Sequence, residues 1–227
     1  MDTTFQRARS DEQRAIRRQT ILDTAAAMLE EMPVSELSLN ELSRRVGLAK
    51  SNVLRYFDSR EAVLLELLDA LTREWLAHLA TALPAAVDAQ AGFERRAEQF
   101  AGTLAGSLAA RPVLCDLLSA QAAVLEHNVS TEAIVSFKRR GVGSAAALVG
   151  LVRQALPELS DDDAWRLVVG ALVLTSSLWA HATPPRAVLD AYEQIPELSS
   201  MRVDFAATLE DALATVAVGL HARSRRR

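Results

Sequence analysis

Apolar residues recur along almost the whole of this chain at spacings of three and four, the period of helices with one buried face. Ile16, Ile21, Ala25, Met28 and Leu29 give a first helix an inward side, and Pro33 helps to stop it. Leu39, Leu42 and Val46 repeat the pattern over a short second helix, and Val53, Leu54 and Phe57 over a third. Leu64, Leu68, Leu71, Trp75 and Leu79 line a fourth helix that begins after Asp58, with Glu61 as a capping-box partner, and that Pro84 should end. Further helices are expected over 92–110, broken at Arg111-Pro112, and over 113–126. After a polar break at His127-Asn128, Ser130 should cap a long helix to about Leu156. Pro157 and the run Ser160 to Asp163 punctuate the next start, and helices 161–181 and 202–222 close the chain, separated by turns at Pro184-Pro185-Arg186 and Pro196. The pattern predicts an all-α protein.

The most informative stretch is 38–57, SLNELSRRVGLAKSNVLRYF. Ser38 followed by Glu41 is a capping box, so a helix should start at Leu39. Gly47 stands where that helix should end in a left-handed residue, and Gly47 to Ala49 separate it from a new helix near Lys50. Two short helices joined by three residues make a helix-turn-helix. The exposed face of the second helix would carry Lys50, Ser51, Asn52 and Arg55. Arg and Lys suit guanine O6 and N7 or phosphate, and Asn suits adenine N6 and N7. Tyr56 can offer a hydroxyl to a phosphate, and Ser38, Arg44 and Arg60 border the same surface. A basic helix face is more often merely solvated. Here the capping box, the glycine turn and the flanking apolar pattern together favour a DNA reader.

Residues 13–70 as a whole, including RAIRRQTILDTAAAMLEEM, the helix-turn-helix and the segment RYFDSREAV, resemble the DNA-binding domain of the tetracycline-repressor (TetR) family of bacterial regulators. The resemblance implies that Tyr56 and Arg60 contact the DNA backbone and that the first helix packs behind the reader. Two positions depart from the family pattern. Ala49 stands where Ser often caps the recognition helix, at a loss of roughly 1 kcal/mol. Leu54 stands where a tyrosine often contacts phosphate. The implied organisation is a DNA-binding domain with its N-terminal arm over 1–58, a helical effector-binding and dimerisation domain over 59–222, and a basic tail at 223–227.

Composition and charge sharpen the picture. Half of the residues are hydrophobic but only 5% are aromatic, which favours Ala- and Leu-rich helices around a sizeable core. The net charge is −4, unpromising for a nucleic-acid partner until it is divided. Residues 1–60 hold ten Lys and Arg against nine acids, a net of +1, leaving −5 for the remainder. A local basic patch, not whole-chain charge, sets attraction to DNA. Arg7 and Arg9, on a mobile N-terminal arm, are further candidates for phosphate or the minor groove. No long uncharged apolar run or signal-type leader is visible, and the single cysteine, Cys115, fits a reducing cytoplasm. No membrane partner is expected.

A single helix-turn-helix reads few bases, so a two-fold homodimer on a palindromic operator is expected. The resemblance implies that two helices from each subunit form a four-helix bundle, and the candidates are 161–181 and 202–222. Trp165, Val168, Val169, Leu172, Val173 and Ser176 run along the first, with small Gly170, Ala171, Ser176 and Ser177 allowing close approach, and Leu209, Leu213, Val216 and Leu220 run along the second at helical spacing. The middle helices would enclose a small-molecule effector, with Phe93, Phe100, Leu104, Leu118, Val124, Phe137 and Trp179 as apolar lining and Trp75 at the floor. Cys115, Gln121 and His127 would be its polar contacts. That weighting favours a lipophilic effector over a sugar or phosphate.

Enzyme readings find little support. Asp161, Asp162 and Asp163 look like an acidic helix start, where negative charge meets the helix dipole, and no second acidic cluster accompanies them. The four histidines lack metal-type spacing, and no phosphate loop or nucleophile elbow is present. No cofactor, metal or catalytic residue is expected. The favoured function is a ligand-released transcriptional repressor. The alternative is a helical ligand-binding protein of the same fold with little DNA affinity, for which uncapped Ala49 is the hint.

Overall fold

A computed structural model describes the backbone of residues 2–226 and the side chains of residues 12–226. In chain order the helices are α1 (Asp2–Glu31), α2 (Leu39–Val46), α3 (Lys50–Val53), α4 (Arg60–Ala86), α5 (Phe93–Ala109), α6 (Pro112–Ala120), α7 (Thr131–Ala155), α8 (Asp161–Ala182), α9 (Arg186–Gln194) and α10 (Phe205–Ser224). A π-helical turn, Gln121–Leu125, follows α6, and a 3₁₀ segment, Pro196–Met201, follows α9. All regular structure among the described residues is helical, as the apolar spacing requires.

The chain divides into two compact units. The first holds the residues up to Ala70 together with Ala120–Lys138, and the second holds Leu71–Ser119 and Arg139–Arg227. The first unit is therefore wider than the expected reader of residues 1–58. It takes in the start of α4 and a distant segment around the beginning of α7, where the Ser130 hydroxyl bonds to the Asp58 carboxylate at 3.1 Å.

In the first unit, Ile21, Ala25, Met28 and Leu29 on α1, Leu42 on α2, and Val53 and Phe57 at α3 are buried with Val63, Leu64, Leu67 and Leu68 of α4. Each large apolar side chain so covered contributes about 1.5–3 kcal/mol relative to exposure. Two sequence expectations shift. Ile16, expected inward, is 61% exposed, and Leu54 is exposed rather than part of the third helix's apolar face. The arm expected at Arg7 and Arg9 is helical backbone continuous with α1, and their side chains lie outside the described residues.

Helix ends follow local chemistry. The Ser38 hydroxyl accepts from the Glu41 amide at 3.2 Å and starts α2. Gly47, at φ 72°, ends it: the Gly47 and Leu48 amides donate back to the Arg44 and Ser43 carbonyls at 3.2 and 3.0 Å. That pair of bonds is a Schellman closure. The cap of α4 is Ser59 rather than Asp58, its hydroxyl accepting from the Ala62 amide at 3.1 Å. Pro84 does not end α4. The helix continues to Ala86, and the Val87 amide still reaches the Leu83 carbonyl at 2.9 Å.

In the second unit, α10 packs against α5 and α8. Phe205, Leu209, Leu213, Ala217 and Leu220 are buried along α10 at helical spacing, as are Phe100, Ala101, Leu104 and Leu108 on α5 and Leu167, Val168 and Ala171 on α8. Buried Arg96 satisfies otherwise unpaired groups at loop ends. It donates to the Ala91 and Ala155 carbonyls at 3.0 and 3.1 Å and pairs with Glu158.

Candidate nucleic-acid interface

Helix α3 is a single helical turn, extended by turns through Tyr56. Its placement follows from two buried side chains, Val53 and Phe57, which are 0% and 2% exposed. With those fixed inward, Lys50, Ser51, Asn52 and Arg55 all lie exposed. The four candidate base and phosphate contacts are therefore all open to solvent. Ala49 precedes them in an extended conformation (φ −63°, ψ 145°) with no side-chain cap.

Behind α3, Arg18 of α1 acts as a tie. Its guanidinium donates to the Tyr56 carbonyl and to both carboxylate oxygens of Glu66 on α4, with the Nε bond at 2.7 Å. The same group lies 4.1 Å from the centre of the Phe57 ring, a cation–π distance. Arg14, one turn earlier, reaches the Arg55 carbonyl at 3.4 Å. Two arginines of α1 thus hold the backbone at the end of the recognition helix.

The other expected contacts separate by what they already bind. The Ser38 hydroxyl is engaged as the α2 cap. Arg44 grips Glu41 through two bonds of 2.9 and 2.6 Å, and Arg45 joins Glu41 at 3.1 Å and Glu31 at 2.7 Å. The bonds from Arg44 and then Arg45 hold the Glu41 carboxyl at about 2, well below the ordinary carboxylate range. Tyr56 is half-buried. Arg60 is turned inward: it donates to the Val34 carbonyl at 2.5 Å and approaches Glu61 at 3.5 Å, and its Nε is buried without a hydrogen-bond partner. As placed here, Arg60 fastens α4 to the loop before α2 and does not face outward to a phosphate.

One feature escaped the sequence. A groove of about 720 Å³ lies between α1 and the end of α3, lined by Gln13, Arg14, Ile16, Arg17, Thr20, Arg55 and Tyr56. Arg14 and Arg17 are three residues apart, which puts both on one side of a helix. That spacing was available in the sequence, but nothing there said which side of α1 adjoins α3.

The expected effector residues fall in both units. Gln121, His127 and Phe137 belong to the first, and Trp75, Phe93, Phe100, Leu104, Cys115, Leu118 and Trp179 to the second. His127 and Val124 are exposed, and Gln121 bonds to Glu126 at 2.9 Å. Phe100, Leu104 and Cys115 are core residues. Burial pushes the Cys115 thiol up to about 12, helped by the charge of Asp116, so it is no thiolate nucleophile. The Trp75 indole donates to the Ser107 hydroxyl at 2.8 Å, Phe93 stacks on His221 at 4.0 Å, and Trp179 meets Phe205 edge-on at 5.1 Å. The two cavities described within the second unit, of about 1170 and 220 Å³, are lined by other residues.

The expected dimer residues also separate. Val168, Leu209, Leu213 and Leu220 are buried within the second unit, while Leu172 and Val216 are half-exposed. Of the expected residues on α8, Trp165, Val169 and Val173 face outward, 44%, 42% and 63% exposed at spacings of four. Among the described residues no group of three or more His, Cys, Asp or Glu is placed to hold a metal ion, and no single helix is long and apolar enough to cross a membrane.

Comparison with known proteins agrees with this architecture. A family model described as bacterial regulatory proteins, tetR family, matches residues 21–67, and one described as the tetracyclin repressor-like C-terminal domain matches residues 69–224. The HTH-type transcriptional regulator EthR of Mycobacterium tuberculosis is 39% identical over 54 residues, 24% of this chain and 25% of that protein. The chain thus spans about a quarter of the length of the curated relatives it matches. A TetR transcriptional regulator from Rhodococcus sp. RHA1 superposes with a TM-score of 0.57 at 13% identity, over 91% of this chain and 95% of that one. The transcriptional regulator FadR from Bacillus subtilis, solved in complex with stearoyl-CoA, superposes with a TM-score of 0.53 at 12% identity, over 88% and 97%. At such identities the likeness of the structures is one of fold.

Proposed function

Since the chain belongs to the TetR family of bacterial regulatory proteins, we propose that it is a cytoplasmic repressor that binds a palindromic DNA operator as a homodimer and is released by a lipophilic small molecule. The observation behind this reading is the surface of α3: Val53 and Phe57 anchor it, and Lys50, Ser51, Asn52 and Arg55 are left exposed together. A helix of one turn presents few donors, so one subunit reads a short half-site. Two-fold pairing supplies the second at a spacing of ~34–36 Å. Residues 1–58 serve as the reader and 59–222 as the ligand-binding and dimerising body. The effector class rests on the apolar weighting of that body, and the stearoyl-CoA complex of the Bacillus subtilis protein is consistent with it. By linkage, an effector that weakens operator binding is itself bound more weakly by the operator complex, by the same factor.

The test is selection of bound duplexes from a random-sequence library with the full-length chain, followed by a screen for molecules that dissolve the complex. Enrichment of a two-fold symmetric sequence is expected. Recovery of sequences no different from the starting library would favour the other reading, a helical ligand-binding protein with little DNA affinity. Uncapped Ala49 is the one feature that leans that way.

A further inference from the structure

We propose that the groove between α1 and the end of α3 is a seat for a backbone phosphate of the bound duplex, with Arg14 and Arg17 as its donors beside Arg55. This rests on the DNA-binding reading above and adds a site to it. Three guanidiniums line this volume of about 720 Å³, and no carboxylate is among its described lining residues. Such a cluster of three positive charges favours an anion.

The arginines of α1 divide by task. Arg18 has bonds on Nε and on both terminal nitrogens, so its fork is committed inside the protein. Arg14 is tethered by one bond to the Arg55 carbonyl at 3.4 Å. A guanidinium has five N–H donors, so most of that fork remains to face outward from a fixed position. Arg17 is exposed on the same side of the helix, where Thr20 also lies one turn on. Tyr56 brings a hydroxyl of the type that donates to phosphate.

The duplex, rather than a free anion, is indicated by the neighbours. Arg55 and Tyr56 are at once walls of the groove and the continuation of the helix that exposes Lys50, Ser51 and Asn52. A strand whose bases meet α3 must carry its phosphates past the flank of that helix, where α1 supplies the charge. Such contacts position the protein and carry no sequence information.

The experiment measures binding of the wild type, Arg14→Gln, Arg17→Gln and the double variant to two duplexes, one recovered by selection and one of random sequence, from about 50 to about 200 mM salt. Because a homodimer carries each arginine twice, each single change should reduce the slope of log K against log salt by about two, and the double change by about four. Affinity should fall by a common factor on both duplexes, leaving the preference between them intact. Arg14→Lys and Arg17→Lys should restore most of the slope. Unchanged helical content and melting temperature, expected for exposed side chains, exclude unfolding as the cause.

A double variant that keeps the wild-type slope while the wild type still selects a sequence overturns this site alone. Titration of the protein with inorganic phosphate in the absence of DNA separates the two sources of the anion. Binding lost in the double variant, with the DNA slope unmoved, would make this a free-anion site and overturn the proposal. A wild type with no measurable affinity for either duplex sinks the DNA-binding reading and this site with it.

Discussion

At the scale of single residues, the exposed surface of α3 leads to the most direct prediction. Asn52 is exposed and lies in the one turn of helix before Arg55. Asn52→Ala should lower the preference for selected over random duplex by ~1–3 kcal/mol, the worth of a good bidentate base contact. Binding competition between the two duplexes checks this, and a preference that survives the change removes Asn52 from the readers. Glu41 makes a prediction in pH. Its carboxyl is held at about 2 against an ordinary 4.5 by Arg44 and Arg45. A depressed carboxylate contributes stability that is fully present above its unfolded value and is lost as pH falls through the folded one. The stability gap between wild type and Glu41→Gln should therefore be constant above about pH 5 and narrow from about pH 4.5 towards pH 2. Denaturant unfolding at several pH values measures that gap. A gap that does not change with pH would mean that the two arginines do not hold the carboxylate in solution.

At the scale of elements, the chain contains its own control for a missing cap. Ser38 and Ala49 both precede short helices in extended conformation, but only Ser38 carries an oxygen that accepts from the helix, at 3.2 Å. Ala49→Ser should therefore stabilise the protein by about 1 kcal/mol and raise its melting temperature by about 2–4 °C. Slower hydrogen exchange at Ser51 and Asn52 would place the gain in α3, whereas an unchanged melting temperature with unchanged exchange would refute it. The comparison also shows what was legible in sequence. Ser38, Glu41 and Gly47 act through bonds within a few residues, so the turn was readable, and the exposed face of α3 with it. Leu54 and Ile16 are outward because partners far along the chain do not cover them, and spacing alone cannot name partners. Arg60 is turned inward for the same reason. Its ligand is the Val34 carbonyl, 26 residues away. The sequence predicts only turns where α9 lies, because Pro184, Pro185 and Pro196 mark breaks and its nine residues bury no side chain fully.

At the scale of the whole molecule, the proposed pairing depends on which side of α8 is free. Apolar residues occur on two sides of this helix. Leu167, Val168 and Ala171 are buried in its own unit, as are Leu209, Leu213 and Leu220 of α10. Periodicity gathers residues of both stripes and cannot say which of them the chain buries itself. Trp165, Val169 and Val173 form the other, and they remain exposed within a single chain. A Trp and two Val side chains in a row on a helix face are apolar surface that a second copy would cover. Gly170 and Ser177 on the same helix have little bulk to hold a partner backbone away. The two stripes predict opposite outcomes for the same chemical change. A charge at Leu213, which is 1% exposed, must be buried unpaired, and Leu213→Asp should unfold the second unit. A charge at Val173, which is 63% exposed, costs the monomer little, so the pair Trp165→Glu and Val173→Arg should give chains of wild-type helical content and monomer mass. Light scattering reports the mass and circular dichroism the helix content. Those monomers should lose affinity for the selected two-fold duplex far more than for random duplex, since each retains one intact reader. If they remain dimers of wild-type stability, the pairing surface lies elsewhere on the chain, and α8 turns this stripe to solvent for a reason other than self-association.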